Sequence, residues 1–442
     1  MNQSKKSILF VIATLNHYRN YITTGALKSV NGSLVFLVNP ALADKDFGVD
    51  KDRVIPYAYP GEKGSFYKHV IGLGCWRYQS KDTGLMMYVK GFSPKKKKIY
   101  KILTRTPFYQ FAKWFFLLRG RDNQLDDIVS RISPSMIMVP AAVYGGLDLE
   151  LTRIAKKFNI PSFFLIENWD NLGGRMIYPF TPDYLGVWSR QGAEHAMRFR
   201  KFPEKNIFIL GTPRFINYFH LERQNLSSPY PFKFILYAGS SLPYNELEAL
   251  HKLDDLVSKY RTDLKVIFRP GLVQHVRNCP DVFFEYDFKN MVLDIPARAF
   301  YKKEAGHKIK DGFNPVYSPD MSYFPRLFTN MEFMVCPLST MMLEGLVFNK
   351  RVYGLAHDDG LHWRNLKYLY DTYEHFRGIE RVKNSSIIHR LEDLEKIFTS
   401  PEELKTLEDQ IDIDYFISND TRNYSLNLGK AVDAILTNRG LI

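Results

Sequence analysis

The sequence predicts an α/β protein with two doubly wound, Rossmann-like domains in tandem. Short apolar runs bounded by turn residues alternate with helical patterns along the chain, as they do in parallel α/β units. These runs are apolar throughout, which is typical of strands covered on both faces. A length of 442 residues is sufficient for two domains that each bury a core.

Candidate strands lie on both sides of a polar interruption. The first half contains strands at residues 8–14, 33–39, 136–141, 162–167, 184–189 and 207–211. The second half contains strands at residues 234–240, 265–270, 282–287, 332–338 and 351–356, with a helix near 244–260. The stretch between the two sets, "FINYFHLERQNLSSPYPF", has the composition of a linker.

The predicted domain boundaries follow from this pattern. We expect an N-terminal domain at residues 1–214, a linker at 215–231 and a C-terminal domain at 232–442. The last helices are candidates for crossing back to the N-terminal domain. Two doubly wound domains facing a central cleft would bind a ligand in that cleft.

The excess of basic residues indicates an anionic partner. A net charge of +13 suits nucleic acid, acidic lipid or a phosphorylated small molecule, and composition does not choose among them. Nucleic acid is disfavoured because no recognition fold accompanies the basic residues. The cysteines Cys75, Cys279 and Cys336 are far apart and form no CxxC pair. The sequence therefore predicts neither a disulfide framework nor a zinc site, and a reducing cytosol is the simplest compartment.

The N-terminus begins like a signal peptide but does not continue like one. Its apolar octet runs directly into "NHYRN", and no A-x-A cleavage site follows, so we interpret the octet as a buried strand. No apolar run approaches the roughly 20 residues of a membrane-spanning helix. We predict a cytoplasmic protein that is soluble or peripheral on the inner face of the cytoplasmic membrane.

One insertion in the N-terminal domain is both basic and aromatic, and we call residues 90–121 the basic-aromatic segment. No acidic residue occurs between Thr83 and Arg121, and "PFYQFAKWFFLLR" places aromatic residues at helical spacing after a helix-opening proline. Cations suit anionic headgroups and rings suit the acyl boundary, so Lys95 to Arg121 is a candidate for contact with an anionic membrane surface. The alternative is a core-facing helix behind a solvated basic loop.

The stretch "CPLSTMMLEG" contains an isolated charge in an apolar run. Glu344 follows Ser339 and Thr340, which lie at a predicted strand-to-helix turn where free backbone N–H groups favour a phosphate. A capping box does not explain the carboxylate, because the residue three positions after each hydroxyl is apolar. Plain N-capping by either hydroxyl remains possible. A buried carboxylate needs donors, and the hydroxyls of a ribose would supply them.

Two further turns of the C-terminal domain are candidates for phosphate binding. Ser240 and Ser241 follow a predicted strand in "YAGSSLPYNE", where the preceding glycine allows close backbone approach. Arg269 ends another predicted strand and could meet a phosphate. Ligands of open α/β sheets bind at such strand ends.

The N-terminal domain offers two candidate catalytic loops. In "IENWDNLGGR", Glu167, Asp170 and Asn171 follow a buried strand. Either carboxylate could take a proton from an acceptor hydroxyl, and Asn171 is a candidate contact for the acceptor or a phosphate. The alternative is that both carboxylates cap the turn. In "ATLNHYRN", His17 follows the first strand and has the side chain best suited to general-base work, while Arg19 could bind an anionic acceptor.

The strand, hydroxyl-bearing turn and following Glu in "CPLSTMMLEG" resemble the nucleotide-sugar site of GT-B glycosyltransferases, which have two facing Rossmann-like domains. The resemblance implies a C-terminal donor domain and an N-terminal acceptor domain. It implies donor contacts from Ser240, Ser241, Arg269, Ser339, Thr340 and Glu344.

A second resemblance lies in the block 182–215, which ends in "GTPRF". It is similar to bacterial surface-polysaccharide transferases of the Kdo-transferase-like and CDP-glycerol glycerophosphotransferase-like types, and Arg214 is its candidate phosphate contact. These families often carry an R-P-H-P turn where this chain has "RPGL". The missing histidine argues against a CMP-activated donor.

These features together predict a glycosyltransferase of bacterial cell-surface glycan synthesis. It would move a sugar from a nucleotide-sugar donor to a lipid-linked or polysaccharide acceptor. The alternatives are a CDP-glycerol or CDP-ribitol polyol-phosphate transferase, a GT-B-shaped nucleotide-sugar epimerase and a non-catalytic binding protein. No bound cofactor is predicted, and no metal site is predicted either, because "DFGVDKD", "LDD" and "HDDG" are ordinary acidic loops.

Overall fold

The fold is described from a computed structural model. It describes residues 6–59, 73–74, 76–77, 93–105, 107–119, 122–141, 146–174, 181–222, 224–240, 242, 244–271, 287–298, 322–406 and 409–440. Residues 282–286 of the predicted strand at 282–287 and the candidate Ser241 lie outside these ranges.

The described strands form two parallel sheets. The first sheet contains β1 (Ser7–Ile12), β2 (Ser33–Val38), β3 (Val54–Pro56), β4 (Met136–Ala141), β5 (Ser162–Ile166), β6 (Tyr184–Val187) and β7 (Ile207–Ile209) in the order β3-β2-β1-β4-β5-β6-β7. The second contains β8 (Phe234–Ala238), β9 (Lys265–Arg269), β10 (Met291–Leu293), β11 (Phe333–Pro337), β12 (Arg351–Leu355) and β13 (Ser385–Ile388) in the order β10-β9-β8-β11-β12-β13. The predicted α/β class with two Rossmann-like domains is confirmed.

Helices connect the strands. The described α-helices are α1 (Leu15–His17), α2 (Pro94–Leu103), α3 (Phe108–Arg119), α4 (Asn123–Ile132), α5 (Gly146–Lys157), α6 (Asn171–Gly174), α7 (Arg190–Arg200), α8 (Ile216–Leu221), α9 (Glu246–Tyr260), α10 (Tyr323–Asn330), α11 (Thr340–Val347), α12 (Leu366–Thr372), α13 (Lys396–Thr399) and α14 (Tyr424–Asn438). None of them is both long and apolar enough to cross a membrane, as far as the described residues go.

The chain divides into two compact units. The first comprises Met1–Ile216 together with Phe416–Ile442, and the second comprises Asn217–Tyr415. The C-terminal helix α14 therefore belongs to the first unit. The stretch 215–231, for which the sequence predicts a linker, contains helix α8.

The C-terminal helix packs closely in the first unit because it carries a glycine at the contact. A Cβ on Gly429 would lie 2.2 Å from the carbonyl oxygen of Ser29. The backbone N–H of Ser29 donates to Oγ of Ser425, 2.9 Å away, and these contacts join two ends of the chain.

A buried ionic network ties two helices of the first unit together. The Arg153 guanidinium on α5 lies 2.7 Å from Oδ1 of Asp126 on α4 and also contacts Glu150. Burial opposes ionisation of Asp126, but hydrogen bonds from Lys157 and Arg153 outweigh it and hold its pKa below the ordinary value. The network satisfies charges that would be costly to bury alone.

Both sheets have a topological switch point, where connections leave in opposite directions. In the first sheet β1 lies between β2 and β4, and in the second β8 lies between β9 and β11. Crevices at the carboxyl ends of such strands are the usual ligand sites of open α/β sheets. The loops after β1, β8 and β11 therefore lie where a ligand is expected to bind.

Candidate functional site

The first unit joins two of the predicted catalytic residues in one contact. Nε2 of His17, after β1, lies 2.6 Å from Oε1 of Glu167, after β5. Both side chains are largely buried, with 7% of the His17 side chain and 16% of the Glu167 side chain exposed. The parallel sheet brings them together because both follow carboxyl ends of strands.

The hydrogen bonds of His17 define its protonation state. The backbone N–H of Ala13 donates to Nδ1 of His17 over 3.2 Å, so Nδ1 carries no proton. The network therefore assigns the ring proton to Nε2, which donates to Glu167. The only lone pair of the ring already accepts a hydrogen bond, so in this arrangement Glu167 is the group able to take up a proton.

The sequence reasoning missed two tyrosines, of which Tyr21 lies near Glu167 and Tyr424 packs against Tyr21. Tyr21 and Tyr424 are both buried, and their rings meet edge to face at 6.4 Å. Burial raises the pKa of Tyr21 well above its usual value, and the nearby charges of Tyr424 and Glu167 raise it further. Tyr21 follows His17 by four residues, so a helical turn would place both side chains on one face. That spacing was the one signal in the sequence that could have indicated Tyr21.

The other first-unit candidates have local partners. The side-chain oxygen of Asn171 accepts the backbone N–H of Asn168 at 2.9 Å, so it closes the turn after β5. Asp170 is half-buried in the same turn. A guanidinium nitrogen of Arg19 donates to the side chain of Asn16 over 3.1 Å. Binding roles for these residues stay predictions.

The "GTPRF" motif has a structural role in the first unit. Gly211 has a φ of +81°, and a Cβ there would lie 2.6 Å from Cα of Thr421. The backbone N–H of Thr212 donates to the Thr421 hydroxyl at 3.2 Å. The Arg214 guanidinium lies 5.3 Å from the ring centre of Phe215. The phosphate contact predicted for Arg214 stays a prediction.

In the second unit, the isolated-charge stretch forms a strand, a turn and a helix as predicted. The Ser339 hydroxyl accepts the backbone N–H of Met341 at 3.3 Å and caps α11, whose first residue is Thr340. Plain N-capping, the alternative left open by the sequence, is thus present at Ser339. Both hydroxyl residues are half-buried, so they remain available to a ligand.

The carboxylate of Glu344 has a protein donor that the sequence did not reveal. Glu344 is only 2% exposed, and the Tyr218 hydroxyl donates to its Oε2 over 2.9 Å. Tyr218 comes from helix α8, in the predicted linker, and its ring packs edge to face against both Phe328 and Phe348. Burial, and then the Glu344 charge, raise the pKa of the Cys336 thiol. The ribose contact of Glu344 stays a prediction.

Arg269 lies against the first turn of α11. Its guanidinium Nη1 is 3.0 Å from Sδ of Met341, and the guanidinium also covers the ring of Phe324 at 4.3 Å. The structure thus places a cation from the end of β9 beside the capped helix start after β11. Positive charge and a helix N-terminus together favour an anion.

Ser240 lies in a tight turn at the end of β8. Its hydroxyl accepts the backbone N–H of Leu242 at 3.2 Å, and its own N–H donates to the Glu246 carboxylate. A Cβ on the preceding Gly239 would lie 2.6 Å from Oε1 of Glu246 and 3.1 Å from the nitrogen of Gly271. Only glycine fits this close approach.

Glu246 is a candidate functional group that the sequence reasoning missed. It accepts the Tyr244 hydroxyl at 2.5 Å, and that hydroxyl lies 2.8 Å from the hydroxyl of Tyr237. Burial raises the pKa of Glu246 to about 7, against the opposing effect of hydrogen bonds from Tyr244 and Ser240. A carboxylate at the start of a helix is so ordinary that no local signal distinguished it.

The "HDDG" loop follows β12 and packs against this cluster. His357 is buried edge to face on Tyr244 at 6.3 Å, and burial lowers its pKa despite nearby carboxylates, of which Asp359 contributes most. Asp359 accepts the backbone N–H of Asn245 and the ring nitrogen of His362, at 2.9 and 2.6 Å. Among the described residues no group of three or more His, Cys, Asp or Glu side chains could hold a metal ion.

Comparisons with known proteins define the fold. No protein-family model matches the chain, and no curated protein matches it by sequence. A solved UDP-N-acetylglucosamine 2-epimerase is similar, with a TM-score of 0.55 and 13% identity over 100% of this chain and 98% of that one.

Two further solved structures are similar over nearly the whole chain. The Neisseria meningitidis UDP-GlcNAc 2-epimerase bound to UDP-GlcNAc has a TM-score of 0.51 and 11% identity, covering 98% of this chain and 100% of that one. The S. aureus MnaA–UDP co-structure has a TM-score of 0.50 and 12% identity, covering 99% and 98%. At such identities the likeness concerns the fold, and the chain has a GT-B-like fold of two Rossmann-like domains.

Proposed function

We propose that this protein is a nucleotide-sugar-dependent glycosyltransferase. The observation that carries the proposal is the meeting of Arg269 with the first turn of α11, one helical turn before the buried Glu344. The cation, the N-terminal N–H groups of α11 and the carboxylate match the diphosphate and ribose of a nucleotide sugar.

The donor would bind in the second unit. Arg269, the backbone N–H of Thr340 and the half-buried hydroxyls would bind the diphosphate, and Glu344 would accept hydrogen bonds from the ribose hydroxyls. The Tyr218 hydroxyl would hold the Glu344 carboxylate in place for that role. Positive groups and helix dipoles of this kind stabilise a leaving diphosphate without a metal ion.

The chemical step would use the pair in the first unit. The acceptor oxygen forms a bond to the anomeric carbon, while the bond from that carbon to the phosphate oxygen breaks and the nucleotide leaves with the electron pair. Glu167 takes the acceptor proton, and the Nε2–H of His17 orients the carboxylate. His17 is therefore proposed as a positioning residue and Glu167 as the base.

A nucleotide-sugar 2-epimerase is the second candidate. The similar solved structures include UDP-GlcNAc 2-epimerases. Epimerisation moves a proton at a sugar carbon, and the largely buried Glu167 beside His17 is suited to that transfer as well. An epimerase needs no acceptor, so the two functions separate experimentally.

Binding of the donor is the first test. Thermal-shift screening should cover UDP-, GDP-, CMP- and dTDP-sugars and CDP-glycerol, because a ligand of the native state raises the melting temperature. We expect one nucleotide class to raise it and Arg269→Met to lower that affinity at least about tenfold, as for a lost charge-assisted contact. Arg390→Met removes an exposed, ion-paired arginine of the same unit and is the control. A screen without any shift would contradict the proposal.

Turnover then separates the candidate reactions. A transferase releases nucleotide only when an acceptor is present, whereas an epimerase converts the donor alone and incorporates deuterium at the sugar carbon in D₂O. Release of CMP with transfer of polyol phosphate would identify the polyol-phosphate transferase. Glu167→Gln should abolish turnover while leaving the donor affinity unchanged, because Glu167 is proposed to contact only the reacting atoms.

The basic-aromatic segment would bring the enzyme to a lipid-linked acceptor. Large apolar side chains are exposed on both of its helices, including Phe111 at 62% and Trp114 at 54%, beside a run of lysines. Exposed rings next to cations are suited to an anionic membrane surface. We propose that helices α2 and α3 dock on an anionic membrane surface.

Vesicle binding tests this docking. The protein should co-sediment with phosphatidylglycerol vesicles, bind phosphatidylcholine vesicles less and be released by salt. Replacing Phe111 and Trp114 by serine should weaken binding about tenfold or more. Leu361→Ser removes an exposed apolar side chain from the second unit and is the control. Equal binding to both vesicle types would contradict the membrane role.

A further inference from the structure

A polar cavity lies at the amino end of the second sheet, away from the strand ends that carry Arg269 and Ser339. Its volume is about 160 Å³. Arg351, the first residue of β12, pairs in register with the first residue of β11, and Ser385 begins β13, so both mark the amino edge. The cavity is separate from the proposed nucleotide site.

The lining of this cavity is strongly basic. Arg351, Arg381, Lys383 and Lys405 line it, and Glu380 is the one carboxylate among the lining residues that the structure describes. Glu402 offsets part of this charge, because it contacts both Arg351 and Lys405. Within the described part of the chain, no carboxylate pairs with Lys383, which is exposed. The cavity therefore retains positive charge for an anionic ligand.

Two polar atoms of the lining residues lack a hydrogen-bond partner among the described residues. They are Oγ of Ser385, which is 4% exposed, and Oε2 of Glu380. Buried polar groups are normally satisfied, and leaving one unsatisfied is unfavourable. An ionised carboxylate accepts hydrogen bonds only, so Glu380 requires a ligand that carries hydrogen-bond donors. The basic side chains of the cavity require that the same ligand carry negative charge.

We propose that this cavity binds a small phosphorylated sugar or polyol. Its phosphate would contact Lys383 and Arg381, and its hydroxyls would donate to Glu380 and Ser385. Inorganic phosphate would satisfy the cations but not the carboxylate. Its volume lies below the about 300–1,000 Å³ of typical ligand pockets and therefore favours a ligand smaller than a nucleotide sugar. This inference does not depend on the proposed function.

Calorimetric titration tests the site. The probes are glucose 1-phosphate, glucose 6-phosphate, glucose and inorganic phosphate. We expect at least one glucose phosphate to bind at least about tenfold more tightly than inorganic phosphate, and glucose alone to bind weakest. Lys383→Met should weaken binding of the sugar phosphate at least about tenfold, whereas Lys383→Arg should retain it.

The carboxylate distinguishes a sugar phosphate from a bare anion. Glu380→Gln should weaken binding of the sugar phosphate and leave that of inorganic phosphate equal or tighter, since a negative charge is removed. Arg390→Met is the control for a general change in charge. The melting temperature of each unliganded variant reports its folding. Absence of binding by both glucose phosphates, or equal affinity for inorganic phosphate, would overturn the proposal. The variants of the cavity should leave the affinity for a nucleotide sugar unchanged. The test of this cavity and the test of the proposed donor site can therefore fail independently of each other.

Discussion

The buried carboxyl of Glu246 should make the stability of the second unit depend on pH. Its pKa is raised from 4.5 to about 7 because burial disfavours the charged form, although Tyr244 and Ser240 donate hydrogen bonds to it. The unfolded chain therefore loses this proton near pH 4.5, and the folded chain holds it until about pH 7. The folded state binds more protons in this window, so its stability falls as the pH rises.

The size of the effect follows from the pKa difference. One pKa unit corresponds to about 1.4 kcal/mol, and integration from pH 5 to pH 8 gives a loss of about 2.5 kcal/mol in the free energy of unfolding. For a unit of this size that corresponds to about 5–10 °C in melting temperature. The Glu246→Gln variant has no proton to exchange, so its stability relative to the wild type should rise by this amount across the window.

Thermal unfolding followed by circular dichroism at several pH values between 5 and 8 measures this difference. Comparing the variant with the wild type at each pH cancels other titrating groups, including the buried Asp294, whose pKa burial also raises. Glu248→Gln removes an exposed carboxylate from the same helix and is the control for the loss of a negative charge. A melting-temperature difference between wild type and Glu246→Gln that stays constant with pH would refute the reasoning.

Three further substitutions test contacts inside one unit or the other, and the free energy of unfolding in urea is measured for each. Tyr218→Phe removes the donor to the buried Glu344 carboxylate and should cost about 1–3 kcal/mol, whereas a change below about 0.5 kcal/mol would show that the carboxylate is satisfied otherwise. Arg153→Met removes the guanidinium from the buried carboxylates of Asp126 and Glu150 and should cost about 3–5 kcal/mol, and a cost typical of exposed ion pairs, below about 1 kcal/mol, would argue against a buried network. Gly211→Ala should cost at least about 1 kcal/mol because of its positive φ and the contact with Thr421; a neutral result would mean that this approach is looser than observed.

Most strands were predictable because each is a local apolar run. The runs at 8–14 and 136–141, for example, correspond to β1 and β4 with small shifts at the ends. The missed strands lack this signal: β3 and β10 have three residues each, and β13 begins with two serines. Buried serines at a strand start are explained by the cavity at the amino edge, which no local pattern indicates.

The candidate site was predictable in composition but not in pairing. His17 and Glu167 were recognised separately, because polar residues after apolar strands lie where ligands bind. Their contact, and the hydrogen bond from Ala13 that directs the proton-accepting role to Glu167, depend on β1 and β5 lying in one sheet. Likewise, the donor to Glu344 comes from 126 residues earlier in the chain.

The amino-acid sequence by itself determined the α/β class, the two sheets and the strand ends that carry polar side chains, because hydrophobic periodicity reflects the burial of each element separately. Tertiary structure alone decided that Tyr218 holds Glu344 and that Glu246 is buried with a raised pKa. These features arise from contacts between segments far apart in the chain. Such contacts depend on strand order and side-chain packing, which local patterns do not encode.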